Sequence, residues 1–575
     1  MRTAAVAAAA AAATLAVVLS PDARGALISH VAPTAWCSLA PADEFVLAGQ
    51  RVVLSAESGD HPALPSIVPA ALLIRGGTIA AVIPLSPSAA ASDLGAAASL
   101  ATGRRPGPGL RLAPHGSVIA PAAVDTHVHA NDPGHRAGWE GLASATRAAA
   151  AGGVGTLVDM PLNSHPSATT GRVVRRKARS ARWLRPLAVD VGFWGGLVPA
   201  NAHPPHAELA AMVGAGVLGF KAFLAPSGIA DFPNASLADV RAALPFLMRA
   251  GLPLLVHAEL VSDGGGSAAA AAPPPHDLAT WEASRPPTWE VDAVAGLIAV
   301  LREAVGGAGS AAAGPGFRLH VAHVGTPDAL PLLAAAQEAG LPITGEAVPH
   351  ALGGLPYPSA SPPPPADRLW KCAPPLRGRE GAAAGLWGGL LGGALATIGS
   401  DHSPAPPGLK AGAPSFASAW GGVSGLQFSL PAAWTAASRH APAPVTPAHM
   451  AAWMAASPAD LAGLGGRKGC ISPGADADLV VWDPGAPADT APSSCHQRHP
   501  AACPYVGSAL MGRVLATYVR GRLVFEAGGG PGGGGRFARA ACGRVVRRND
   551  EGGGGGAATP RAGLAGSAAA AAAAG

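Results

Sequence analysis

The chain has 575 residues, including 77 glycines and 58 prolines, with 49% apolar residues and a formal net charge of +5, long enough for two or three domains. Its basic residues are dispersed and only 5% of the chain is aromatic, which argues against a nucleic-acid-binding surface. The six cysteines, Cys37, Cys372, Cys470, Cys495, Cys503 and Cys542, share no Cys-x-x-Cys spacing, which excludes a disulfide scaffold and a zinc knuckle.

Residues 1–25 combine Arg2, an Ala/Val/Leu run and a polar exit. That is the plan of a secretory signal or uncleaved anchor, which directs the chain to the secretory pathway or endoplasmic reticulum; an organellar transit peptide is the alternative, and would be richer in Arg and Ser. Short strands follow from 44 to 120, with Gly76-Gly77 marking a hairpin. Residues 84–110 read as an irregular insertion. Strand patterns return at 477–482 and 514–525, with Gly521 at a turn. The two ends, 44–120 and 466–526, therefore read as one small β-sandwich domain.

Between them, 121–465 alternates strand-like segments at 124–129, 155–160, 187–194, 218–224, 252–258, 318–324, 341–348 and 395–400 with helical runs such as 207–213, 237–249, 289–304 and 329–339. Eight strands in this alternation predict an α/β fold, a (β/α)8 TIM-type barrel with Gly/Ala/Pro insertions at 264–275, 306–316 and 359–366. The densest basic stretch, 172–185, reads as a solvated helix face. Cys495, His496, His499 and Cys503 are zinc-ligand types at no common zinc spacing, and read as part of a Pro-rich loop. The Gly/Ala-rich stretch 527–575 lacks periodicity and reads as a disordered tail.

The chemistry gathers at strand ends. His127 and His129 are separated by one residue at the end of the first strand, so they share a face. That pair suits a metal, although a neutral hydrogen-bonded pair has the same spacing. Parallel barrels carry their chemistry at the C-terminal ends of their strands. There the chain places Lys221 on the fourth strand, His257 on the fifth, His323 on the sixth and Asp401 just after the eighth. Four imidazoles, an amine and a carboxylate at one mouth favour a metal centre.

These residues, with Ser-Asp-His-Ser-Pro at 400–404, resemble the cyclic-amide amidohydrolases, the group of dihydroorotase, hydantoinase, dihydropyrimidinase and allantoinase. Finer motifs resemble the allantoinase branch: Trp-Glu-Gly at 139–141, Asp-Met-Pro-Leu-Asn-Ser at 159–164, Phe-Trp-Gly-Gly at 193–196, Ser-Arg-Pro-Pro at 284–287, Lys-Cys-Ala-Pro-Pro at 371–375 and Trp-Gly-Gly at 420–422. The resemblance spans roughly 45–525. It implies a binuclear centre of two divalent ions, most often zinc. His127, His129 and Asp401 would hold one ion and His257 and His323 the other, with Lys221 carbamylated to bridge them. It also implies hydrolysis of the hydantoin-ring amide of allantoin to allantoate, with Asp401 as the catalytic acid/base, and a homo-oligomer, a tetramer by resemblance.

Substrate choice rests on departures within the group. Dihydroorotases usually carry Arg where this chain has Asn131, which favours a neutral ring; dihydropyrimidinases usually have an acid-His pair where it reads Asp159-Met160. Asn163 is the candidate substrate contact, and capping of its own loop would use an Asn equally well. A hydantoinase or dihydropyrimidinase acting on another neutral cyclic amide is the alternative, and a ligand-free scaffold a remoter one, since all expected ligands are present. His350 is expected to be structural and His402 to orient Asp401 rather than to ligate. An extra residue separates Arg136 from the Asp-Pro-Gly turn, so no contact is assigned to it. Val348 stands where relatives often have cysteine.

Overall fold

The computed structural model describes residues 44–548, apart from 56–63, 106, 108, 185, 262–273, 309–313, 315, 355–364, 531 and 539–540. The N-terminal segment 1–25, Cys37 and most of the three insertions lie outside the described residues.

Eight parallel strands follow one another in the order expected: Ala123–Val128, Val154–Asp159, Asp190–Phe193 continued by Gly195–Gly196, Phe220–Phe223, Leu254–His257, Leu319–Val321, Ile343–Ala347 and Thr397–Ile398. Most are shorter than their apolar runs, because the residues beyond them turn away to form the mouth. The ring closes between its ends, where His129 N–H donates to His402 O at 2.8 Å and His402 N–H to His127 O at 3.3 Å. The strands are nearly continuous in apolar residues because helices cover their outer faces; Leu254, Leu255 and Val256, for example, are all buried. This is a TIM-type barrel joined to a β-rich domain.

That second domain is organised by the alternation in its strands. Phe45–Leu54 pairs with Ser66–Arg75, which turns at Gly76-Gly77 into Thr78–Pro84. Both glycines have positive φ, +61° and +90°, which a two-residue hairpin requires. Val118–Pro121 pairs with Leu479–Pro487, so the two ends of the chain meet in one nine-stranded sheet. Phe45, Leu47 and Leu72 enter one core cluster, and Val46, Ala48 and Ala71 the opposite one.

Two regions differ from expectation. Residues 84–110 are not irregular: they hold helices Pro87–Ser92 and Leu94–Thr102. Asp93 caps the second by accepting from Ala96 N–H at 2.9 Å, and Ala90 and Ala98 cover the cluster around Val46. Ala-rich helices this short were illegible because their stability comes from packing rather than pattern.

The described residues of the supposed tail, up to 548, pack on the rest of the protein. Arg536–Phe537 extends the sheet, and Gly543 to Val546 run beside the third barrel strand, with Val191 N–H donating to Arg544 O and Val546 N–H to Val191 O. Val546 is buried with Leu218, Ala462 and Leu464. The six residues 543–548 carry too little pattern to announce this role.

The two domains are stapled by charge. Lys468, wholly buried, donates to Asp190, Asp476 and Asp478 at 2.8, 2.9 and 2.7 Å, and Arg520 also binds Asp190. Lys468→Met is expected to strand these carboxylates and lower stability by about 3–5 kcal/mol, read as a drop in the urea midpoint.

Candidate active site

At the C-terminal mouth, His127, His129 and Asp401 each place one ligand atom within 4.8 Å of the others. His127 Nε2 and His129 Nε2 stand 3.3 and 3.5 Å from Asp401 Oδ1. His257 Nδ1 lies 3.1 Å from His323 Nε2, and the His127 and His323 rings are 5.2 Å apart. The two groups therefore adjoin. Lys221 is completely buried, and its Nζ has no hydrogen-bond partner; burial pushes its pKa down to about 8. Asp401 and His323 have positive φ, +42° and +38°, a conformation non-glycine residues keep only where surrounding contacts enforce it.

An orphaned buried amine beside four imidazoles and a carboxylate is costly without an occupant. The donor set fits divalent metal ions. Burial would raise the Asp401 pKa, but the charges and hydrogen bonds of His127, His129 and His323 overrule it and hold the carboxyl well below its ordinary range.

Several carboxylates behind the ligands were not singled out from sequence. Glu346 Oε1 lies 2.6 Å from His127 Nδ1 and accepts from His323 N–H at 3.1 Å. Glu259 Oε2 lies 2.6 Å from His257 Nε2 and is gripped by Arg285 of the Ser-Arg-Pro-Pro motif. These contacts leave Nε2 of His127 and Nδ1 of His257 turned to the centre. Asp125 accepts from the N–H groups of His127 and Ser400, both at 3.1 Å, and burial raises its pKa to about 6. The available signal was alternation: Asp125 and Glu259 stand two residues from a predicted ligand on the same face.

Gly399 is required by Glu346, because a Cβ there would lie 2.4 Å from Glu346 Oε2. Glu346→Gln is expected to weaken metal retention about 10–100-fold, measured by competition with a chelator.

The remaining sequence candidates divide. Asn163 joins the site, its Nδ2 3.3 Å from His129 Nδ1. His402 lies beside Glu140, 3.3 Å from its Oε2, in a supporting position. His350 is buried at 4% exposure. Arg136, to which no contact was assigned, reaches Asn163 Oδ1 at 3.4 Å. Lys177, read as part of a solvated face, is instead buried and paired with Asp159 at 2.7 Å. Of the loop's zinc-ligand types, Cys495 and Cys503 meet thiol to thiol in one buried cluster, but the histidines do not join them: His496 packs on Phe537, and His499 bonds Gly138 O. Lys371 and Lys410, also unanticipated, tie down the loop before Gly422 by donating to the carbonyls of Phe416, Ala417, Ala419, Trp420 and Gly422.

An imidazole–carboxylate cluster in the mouth of such a barrel is the architecture of an amidohydrolase, and residues 377–524 match the amidohydrolase family. The solved L-hydantoinase (dihydropyrimidinase) of Arthrobacter aurescens superposes with a TM-score of 0.71 at 27% identity, covering 88% of this chain and 100% of that one. A probable allantoinase of Oryza sativa subsp. japonica is 38% identical over 85% of this chain and 89% of its own length. The allantoinase of Arabidopsis thaliana is 40% identical over 72% of this chain and 78% of its own. The chain belongs to the allantoinase family.

Proposed function

We propose that the protein is a metal-dependent allantoinase, opening the hydantoin ring of allantoin at its amide to give allantoate. The observation that carries this reading is Lys221 Nζ, buried without a hydrogen-bond partner and close enough to act electrostatically on His129 and Asp401 of one group and His257 and His323 of the other. Carbamylation of that amine would supply two oxygens in place of one unmet donor and balance part of the charge of two divalent ions, with zinc suited to this donor set. Such ions polarise a carbonyl and make water a nucleophile near neutral pH.

The protein's own groups do the rest. Asp401 accepts the proton of the attacking water as it adds to the ring carbonyl. The same carboxyl then delivers that proton to the departing ring nitrogen, so the C–N bond breaks without a covalent enzyme intermediate. Glu346 and Glu259 hold the His127 and His257 rings in one tautomer throughout. Asn131, uncharged and 2% exposed, favours a neutral substrate over a carboxylate-bearing one.

Similarity to the Arthrobacter aurescens protein keeps a hydantoinase or dihydropyrimidinase as the second reading. Turnover of allantoin, hydantoin and dihydrouracil by the purified protein separates them: allantoin is expected to be the best substrate, and a protein active on the other two alone contradicts the proposal.

A further inference from the structure

The mouth carries polar groups that the ring-opening chemistry leaves unused. Arg136 lies with its Cζ 5.1 Å from the ring centres of both Trp139 and Trp420, and the two indoles meet edge to face at 4.8 Å. A guanidinium packed against two aromatic rings that touch each other is stiff and partly desolvated. Its one hydrogen bond among the described residues is the 3.4 Å contact to Asn163 Oδ1. On the same loop, Asn131 has positive φ, +61°. Its Nδ2 is anchored to Pro404 O at 3.4 Å, three residues beyond Asp401, while its buried Oδ1 has no partner.

The Arg136–Asn163 contact conflicts with an engaged His129. When His129 Nε2 is a ligand, its proton sits on Nδ1 and needs an acceptor, so Asn163 must present its oxygen there. The amide then turns Nδ2 toward Arg136, and the guanidinium loses its protein acceptor.

Resting on the allantoinase reading, we propose that Arg136 and Asn131 form the subsite that recognises the ureido arm of the substrate. Arg136, packed against Trp139 and Trp420, donates to the ureido carbonyl, and Asn131 Oδ1 accepts from a ureido N–H. A urea offers both an acceptor and donors, so it satisfies both groups. A carboxylate arm would satisfy Arg136 but would face Asn131 Oδ1 acceptor to acceptor, and the nearby charge of Asp231 already offsets the guanidinium. Specificity here comes from leaving protein groups unpaired when the arm is missing.

The test compares allantoin with hydantoin, the same ring without the arm, in the metal-loaded protein. Arg136→Gln is expected to raise the KM for allantoin about tenfold or more, while the inhibition constant of hydantoin shifts by less than about threefold. Asn131→Leu should move the two constants in the same unequal way, and wild type should bind hydantoin-5-acetate more weakly than allantoin. Equal shifts for both ligands, or tighter binding of the carboxylate analogue, overturn the proposal. Arg136→Lys provides a second variant if the glutamine protein does not fold, with the same unequal loss expected. If wild type opens hydantoin but not allantoin, the allantoinase reading fails, and the two binding constants, measured against hydantoin turnover, still judge Arg136.

Discussion

Lys221→Met is expected to abolish hydrolysis, lowering kcat/KM by roughly a thousandfold or more, without lowering the stability of the metal-free protein. The two expectations come from one fact. Lys221 is wholly enclosed, and its amine meets no acceptor, so the metal-free protein would bear a desolvation cost at this amine. Methionine keeps most of the volume and removes the polar atom, which relieves that cost. It also removes the group proposed to bridge the two histidine groups, so metal content should fall together with activity. A variant that keeps both would remove Lys221 from the centre. A large fall in the melting temperature of the metal-free variant would show that the lysine is structural.

Asp401→Asn is expected to separate folding from chemistry. The carboxylate has two duties: its Oδ1 lies beside both first-strand histidines, and it is the proton carrier in the proposed reaction. Asparagine retains an oxygen donor of similar size but cannot accept a proton. The loss should therefore fall on kcat, by about 10²–10⁴-fold, with KM changed far less. Steady-state kinetics on metal-reconstituted variant checks this. A loss confined to KM would reassign Asp401 to binding.

The barrel was legible in the sequence because eight buried apolar runs alternate with helical periodicity, and strand ends announce themselves by the polar residues that follow. Hence the sequence alone assigns His127, His129, Lys221, His257, His323 and Asp401 to one mouth. The residues behind them were harder. Glu346 lies in Ile343–Ala347, and it touches His127 from a strand more than 200 positions away in sequence. No local pattern encodes that pairing. Arg136 was discounted for an offset of one residue in a loop; its position is set by Trp420, which comes from the far end of the barrel and is held by Lys410. The helices at 87–102 were hidden by composition, since Ala runs resemble filler whether or not they pack, and Gly-Arg-Val-Val-Arg-Arg at 543–548 is too short a motif to stand out beside the Gly-rich runs around it.

The most direct test of the two-metal hydrolase is metal analysis of purified protein combined with an allantoin assay on the same sample. About two divalent ions per chain are expected, with one allantoate formed per allantoin consumed and activity that disappears with a chelator and returns with metal. Full allantoin turnover by protein carrying no metal would contradict this expectation.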